Sequence, residues 1–347
     1  MDSLRVIPAN AQHQGMRSEQ QDAFAFSSPD SENRYHAGFL AVVADGMGGM
    51  SRGREAAHIA SQVFIEAYSG KREDESIPDA LKRAAFEAND AVKALAEETS
   101  EIGEVGTTLV AAVARADRLY WLSVGDSRIY KLDAESTAQL NEEHNLRNKL
   151  CRLANGGFLD AEEVEANPQK EALTSYIGIE NLTEIDMPEK PLIVKKGDQI
   201  VLCSDGLYKS MNDKEIFSAA RGALNDDPAA ALVDGAMDKG LRHQDNITVL
   251  VLSFGEPEAE ERAEEPPKKK AKARKMRRRK KTQRRPIPTA FVAGVKLVLI
   301  FLLCLLIYCI LSRVNTENSL KVEESPMSRE YVSLSIKITD TNPAGGV

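Results

Sequence analysis

Residues 38–44 (GFLAVVA) form an uninterrupted apolar run that stops at Asp45-Gly46. A run of this length reads as a β-strand. After Gly53 the pattern changes. Ala56, Ala57, Ile59, Ala60, Val63, Phe64 and Ala67 recur at helical spacing, and so do Leu81, Ala84, Ala85, Ala88, Val92 and Leu95. Short runs at 107–114, 118–124 and 128–132, split by turn residues, predict antiparallel hairpins. Residues 133–190 are polar and irregular, with few periodic cues. Residues 199–203 and 247–254 are again strand-like. Between them, Asn212 or Asp213 is placed to cap one helix, and Asp227-Pro228 to open another. Paired helices beside hairpin strands predict an α+β layered domain over residues 1–254.

The chain has 347 residues, enough for one domain of this size with appendages. Its cysteines, Cys151, Cys203, Cys304 and Cys309, form no CxxC pair and no close-spaced framework. That predicts neither disulfides nor a zinc site, and a reducing compartment suits the N-terminal part.

The net charge of -8 hides an asymmetry. Residues 268–285 carry thirteen Lys/Arg and no acid, whereas residues 1–267 carry 27 basic and 48 acidic side chains. So acidic a domain disfavours nucleic acid and suits divalent cations. An acidic, Pro-containing stretch leads into the basic block, and 255–288 reads as linker. Residues 290–312 (AFVAGVKLVLIFLLCLLIYCILS) have Lys296 as their only charge, with 15 uninterrupted apolar residues at 297–311. The segment 289–312 is long enough to span a bilayer if Lys296 snorkels toward a headgroup. Basic residues on one flank only would place 1–285 in the cytoplasm, against membrane lipid, and 313–347 on the opposite side as a tail without stable structure. In that tail Val332, Leu334, Ile336 and Ile338 alternate with polar residues, a strand-like pattern.

Three aspartates sit at the ends of predicted strands. Asp45 lies in ADGMGG, Asp205 in SDGL, and Asp245 just before ITVLVL. A carboxylate at a strand end is fixed by the sheet, and several converging would make a hard-oxygen site for magnesium or manganese. Arg17 opens the stretch RSEQQD that ends at Asp22, and an arginine is suited to grip phosphate. GTT (106–108) and VGDSR (124–128) fall at hairpin positions.

The order RxxQQD, DGMGG, GTT, VGDSR, SDGL, QDNIT over about residues 1–254 resembles the metal-dependent type 2C serine/threonine protein phosphatase family in its bacterial form. The resemblance implies a four-layer α-β-β-α sandwich of two antiparallel sheets flanked by helices, here followed by one transmembrane helix. It implies that Asp45 bridges two Mn2+ or Mg2+ ions with the Gly46 carbonyl, and that Asp205 and Asp245 hold the first. Asp22 would order water, Asp126 with Asp205 would form a weaker third site, and Arg17 would bind substrate phosphate. Water activated between two ions would then attack phosphorus in line. Partners would be phosphorylated proteins, among them a Ser/Thr kinase and its targets. The oligomeric state is left open.

Departures from the family pattern also matter. Gln21 stands where many relatives have Glu, so it would reach the second ion only through water. Met47 replaces the histidine of eukaryotic relatives. LNEEHN (140–145) resembles a degraded family motif, which makes His144 structural rather than catalytic. Arg152 falls in a variable flap over 145–190. The competing reading is a weakly active module of the same fold that docks phosphoproteins at the membrane.

Overall fold

The computed structural model describes residues 4–28, 34–49, 52–101, 103–224 and 226–256. The chain divides into two units, Met1–Glu264 and Glu265–Val347, and every described residue belongs to the first. The basic block, the apolar segment 289–312 and the tail 313–347 lie outside the described residues. Among the described residues no helix is long and apolar enough to cross a membrane.

In chain order the elements are β1 (Arg5–His13), β2 (Asp22–Phe26), α1 (Arg34–Ala37), β3 (Phe39–Met47), α2 (Arg52–Ser69), α3 (Ile77–Thr99), β4 (Gly106–Thr107), β5 (Leu109–Arg115), β6 (Arg118–Val124), β7 (Arg128–Leu132), β8 (Thr137–Gln139), α4 (Leu146–Asn155), α5 (Ala161–Ala166), β9 (Leu192–Ile193), β10 (Gln199–Cys203), α6 (Asp205–Tyr208), α7 (Asp213–Gly222), α8 (Pro228–Met237) and β11 (Ile247–Gly255). One sheet runs β1-β11-β10-β7-β8. The other runs β2-β3-β5-β6-β9, with β4 added to the far end of β3. All pairings are antiparallel.

The apolar run of β3 is continuous because both of its faces are buried. Phe39, Ala41 and Val43 point between the sheets, where they meet Val110, Trp121, Ile200, Leu202, Leu250 and Leu252. Leu40 and Val42 point the other way, onto Ala56, Ala60, Phe64, Leu81 and Ala88 of α2 and α3. The second sheet repeats the device. Val249 and Val251 of β11 face Leu207 and the α7–α8 residues Ile216, Ala220, Leu232 and Ala236. Two-residue strand periodicity thus sorts one sequence run into two cores, and the result is four layers, helix–sheet–sheet–helix. The α+β sandwich expected from the sequence is the fold observed.

Helix boundaries follow local chemistry. The Ser76 hydroxyl accepts from the Asp79 N–H at 3.2 Å to start α3. Asn212 caps α7 through the N–H groups of Lys214 and Glu215, and Asp227 caps α8 ahead of Pro228. Residues 133–190, irregular by periodicity, nonetheless contain β8, α4 and α5. None of the α4 residues is fully buried, although Leu146, Leu150 and Leu153 recur at helical spacing along its ten residues. Strand β1 is also absent from the pattern. It is an edge strand, mostly exposed, and carries Pro8, yet it pairs with β11 along its whole length.

Candidate active site

The carboxylates gather where the ends of β2, β3, β10 and β11 meet. Asp22 opens β2 and is register partner to Asp45 on β3. Asp45 is not beyond its strand, as an Asp-Gly turn would suggest. β3 runs on to Met47, but its neighbour changes from β5 to β4 just there. Thr108 bridges the break. Its N–H donates to the Asp45 carbonyl at 2.9 Å, and its hydroxyl accepts from the Asp45 N–H at 3.0 Å. The Thr107 hydroxyl donates to the same carbonyl at 2.9 Å. The GTT motif therefore clamps the Asp45 backbone.

Glycine serves here by lacking a side chain. A Cβ on Gly46 would lie 2.0 Å from the Gly53 carbonyl oxygen and 2.6 Å from that of Gln21. A Cβ on Gly53 would press the Gly46 carbonyl at 2.8 Å. At Gly206 the clash would be with the Asn246 carbonyl, at 2.0 Å. Asp205 itself starts the single turn α6, behind Ser204, rather than a glycine turn.

Asp22 is buried. Its Oδ2 accepts from Ser204 Oγ at 2.8 Å and Thr248 Oγ1 at 2.7 Å, while its buried Oδ1 has no partner. Burial raises its pKa to about 6, the two hydroxyls hold it down, and Asp205 and Asp245 raise it further. Asp126, in the turn between β6 and β7, is pushed to about 7 by burial and then by Asp205. Asp45 is raised well above the ordinary carboxylate range by burial, then by Asp22, Asp205, Asp126 and Asp245. Burial also raises Asp205, against the pull of Lys209. These acids feel one another's charge, so they share one site.

Two cations offset that charge. Arg17 donates from a terminal guanidinium nitrogen to Asp245 Oδ2 at 2.6 Å, while remaining 59% exposed. Lys209 pairs with Asp205 Oδ2 from one helical turn away. With Asp205 and Asp245 turned to these partners, no three His, Cys, Asp or Glu side chains among the described residues are gathered tightly enough to hold an ion between them. The donor set still fits hard divalent cations. It is all oxygen, it is crowded with mutually repelling carboxylates, and it includes an orphaned buried oxygen on Asp22.

Other expected residues fall as follows. The Gln21 amide donates to Glu19 Oε1 at 3.0 Å and to the Gly48 carbonyl at 3.5 Å. Met47 pairs in register with Gly106. His144 Nδ1 accepts from the Gly125 N–H at 3.1 Å, bracing the Asp126 turn; burial lowers its pKa, in keeping with a structural role. Glu143 holds Arg128 at 2.6 Å, and the Arg128 guanidinium lies 3.6 Å over the Tyr208 ring. Arg152 pairs with Glu142 on the surface. A cleft of about 460 Å³ is lined by Asp22, Gln12, Arg54 and His58 among others, but by none of Asp45, Asp126, Asp205 or Asp245.

Three contributors escape the motif reading. Asn246 accepts from the Gln21 N–H at 2.8 Å and donates to the carbonyls of Gln14 and Glu19, fixing the Arg17 loop against β11. Gly53 and Lys209 are the others. Asn246 stands inside QDNIT and Lys209 four residues after Asp205, the one available signal for each.

Residues 10–232 match the sequence profile of Protein phosphatase 2C. The serine/threonine phosphatase stp of Listeria welshimeri is 30% identical over 217 residues, 61% of this chain and 83% of the relative. The serine/threonine protein phosphatase PstP of Mycobacterium tuberculosis is 31% identical over 227 residues, 64% of this chain and 42% of the relative. Among solved structures, the catalytic domain of the serine/threonine protein phosphatase PstP in complex with two manganese ions superposes with a TM-score of 0.58 at 25% identity, covering 73% of this chain and 100% of that one.

Proposed function

We propose that this chain, which belongs to the protein phosphatase 2C family, hydrolyses phosphoserine and phosphothreonine in proteins through a two-cation site built on Asp45, Asp205 and Asp245. It is a serine/threonine protein phosphatase, and phosphorylated proteins are its substrates. The observation that carries the site is convergence: Asp45 stands in register with Asp22, Asp22 accepts from Ser204 next to Asp205, Thr108 ties Asp45 to Ser127 next to Asp126, and Arg17 pairs with Asp245 at the rim.

In this reading Asp45, the Gly46 carbonyl, Asp205 and Asp245 would hold two Mn2+ or Mg2+ ions. When bound, the ions supply Lewis-acid activation of water and neutralise charge at phosphorus. The protein's own groups do the rest. Arg17 exchanges Asp245 for a phosphate oxygen pair, which its planar fork matches. Asp22, held by Ser204 and Thr248, keeps Oδ1 free to accept from water. Gln21 must turn from Glu19 to contribute, and it brings no charge.

Placement is part of the proposal. The reading divides the chain into a catalytic domain at 1–254, a linker at 255–288, a membrane span at 289–312 and a tail on the far side. It rests on the apolar run at 290–312 and the thirteen basic residues before it. A membrane-bound Ser/Thr kinase and its targets are the substrates that such placement favours.

Hydrolysis of a phosphothreonine peptide with manganese, compared with excess chelator and with Asp45→Asn, tests the chemistry. Turnover lost in both is expected. Full turnover in chelator would remove the two-cation reading. Protease protection of an epitope after Val347, in sealed vesicles with the cytoplasmic side out, tests the topology. Ready cleavage there would contradict a span.

A further inference from the structure

We propose that the Lys209 ammonium holds the place beside Asp126 and Asp205 where a third divalent cation would otherwise sit, so that the enzyme works with two exchangeable ions and one built-in charge. This rests on the two-cation reading of Asp45, Asp205 and Asp245.

The placement follows from α6. Asp205 is its first residue and Lys209 its C-cap, whose N–H donates to the Asp205 carbonyl at 2.9 Å. Residues four apart stand on one helix face, and an acid N-terminal to a lysine is the favourable order. Lys209 Nζ accordingly meets Asp205 Oδ2, which leaves Oδ1 for the ions shared with Asp45 and Asp245. The Tyr208 hydroxyl donates to the Asp126 carbonyl at 3.1 Å and ties the same turn to the loop that carries Asp126. The Tyr208 ring is held in turn under Arg128.

Lys209 follows Tyr208, so the residue that pairs with Asp205 sits beside the one that holds the Asp126 loop. Asp205 is 14% exposed, while the lysine side chain is 47% exposed, so the ammonium reaches the carboxylate from the solvent side. A divalent cation approaching Asp205 from that side would have to displace a like charge already paired with it.

The test counts bound manganese by the electron paramagnetic resonance signal of free Mn2+ during titration of the full chain. The wild type should take up two ions and no third. Lys209→Met, which keeps length and removes charge, should gain a third, weaker ion. Adding Asp126→Asn should remove it again, and Lys209→Arg should stay at two. Three ions on the wild type would overturn the proposal, as would a Lys209→Met protein that still binds two with unchanged affinities. Fewer than two on the wild type would overturn the two-cation reading and this inference together. Thermal melting checks the fold of each variant, and Lys209→Gln takes the place of Lys209→Met if that protein does not melt cooperatively.

Discussion

Asp22 and Asp45 stand directly opposite each other across the β2–β3 ladder, two carboxylates on neighbouring strands where a like-charge pair is unfavourable. The fold tolerates them because cations offset their charge or protons neutralise it. Without metal, burial holds Asp22 at about 6 and Asp126 at about 7. The native state then binds more protons than the unfolded chain between about pH 4 and pH 7. This contribution to stability is complete below the unfolded carboxylate pKa and is lost as pH rises through the folded values. For Asp22 it amounts to about 3 kcal/mol at most. In chelator, therefore, the contribution of these two acids to the melting temperature should fall from about pH 4 to about pH 7, and Asp22→Asn should flatten the slope. A chelated protein that gained stability over that range, with no response to Asp22→Asn, would contradict the account.

Thr108 acts through Asp45. Its hydroxyl accepts from the Asp45 N–H and lies 2.7 Å from Ser127 Oγ, in the turn that carries Asp126. One side chain thus sets two of the acids. Thr108→Val keeps the shape and removes these bonds. The affinity for manganese should drop by about 10–100-fold, as for other groups that orient metal ligands. Calorimetric titration measures this apart from turnover, and an unchanged affinity would mean that the strand alone fixes Asp45.

Gly46 and Gly206 are held by backbone crowding, with carbonyl oxygens 2.0 Å from where a Cβ would stand. Gly46→Ala and Gly206→Ala should each destabilise the protein by at least about 3 kcal/mol, because the obstructing atoms are backbone and cannot rotate aside. Gly222, the last residue of α7, has open space around it, so Gly222→Ala should be neutral or slightly stabilising. Urea unfolding of the three variants compares them directly. A mild Gly46→Ala would show that β3 and the start of α2 can move apart.

Arg17 is bound to Asp245 at 2.6 Å and is otherwise mostly exposed. Its predicted work is to grip phosphate, so Arg17→Ala should raise KM for a phosphopeptide by about 10–100-fold, with a smaller effect on kcat. Arg17→Lys should recover only part, since a point charge replaces a two-pronged fork. A fall in kcat at constant KM would instead place Arg17 on the transition state.

The cores were legible in the sequence where α2, α3 and the central strands carry apolar patterns that burial enforces, while α7 and α8 were legible by their caps. The acids were legible because each is spelled within a motif. What stayed hidden has a common physical cause. β1 is mostly exposed, and α4 is short with no buried residue, so neither carries the long apolar pattern of a core element. Gly53 acts across a tertiary contact through the missing volume of its side chain, and Lys209 acts through charge on Asp205 one turn away, a single pair that leaves no longer periodic trace. The Asp-Gly pairs pointed to the right residues but suggested turns, whereas the glycines answer to backbone crowding.

The catalytic unit should stand without residues 261–347. β11 ends at Gly255 and is flanked on both sides, by β1 and by β10, so the last strand among the described residues lies inside its sheet. Its pairing with β1 joins the two ends of the domain along nine register pairs. The buried residues of all four apolar clusters fall between Ala23 and Phe254. A protein ending at residue 260 therefore keeps every core residue among the described ones and every acid of the site, and it loses the basic block and the apolar segment. It should be soluble and melt cooperatively, and its kcat on a small phosphoester should lie within about twofold of the full chain. On membrane-bound phosphoprotein it should be slower, because the local concentration supplied by a tether is gone. Measuring both substrates side by side separates catalysis from placement. Loss of activity on the small ester would assign residues 261–347 to the catalytic domain. Equal rates on both substrates would remove the placement role proposed for that segment.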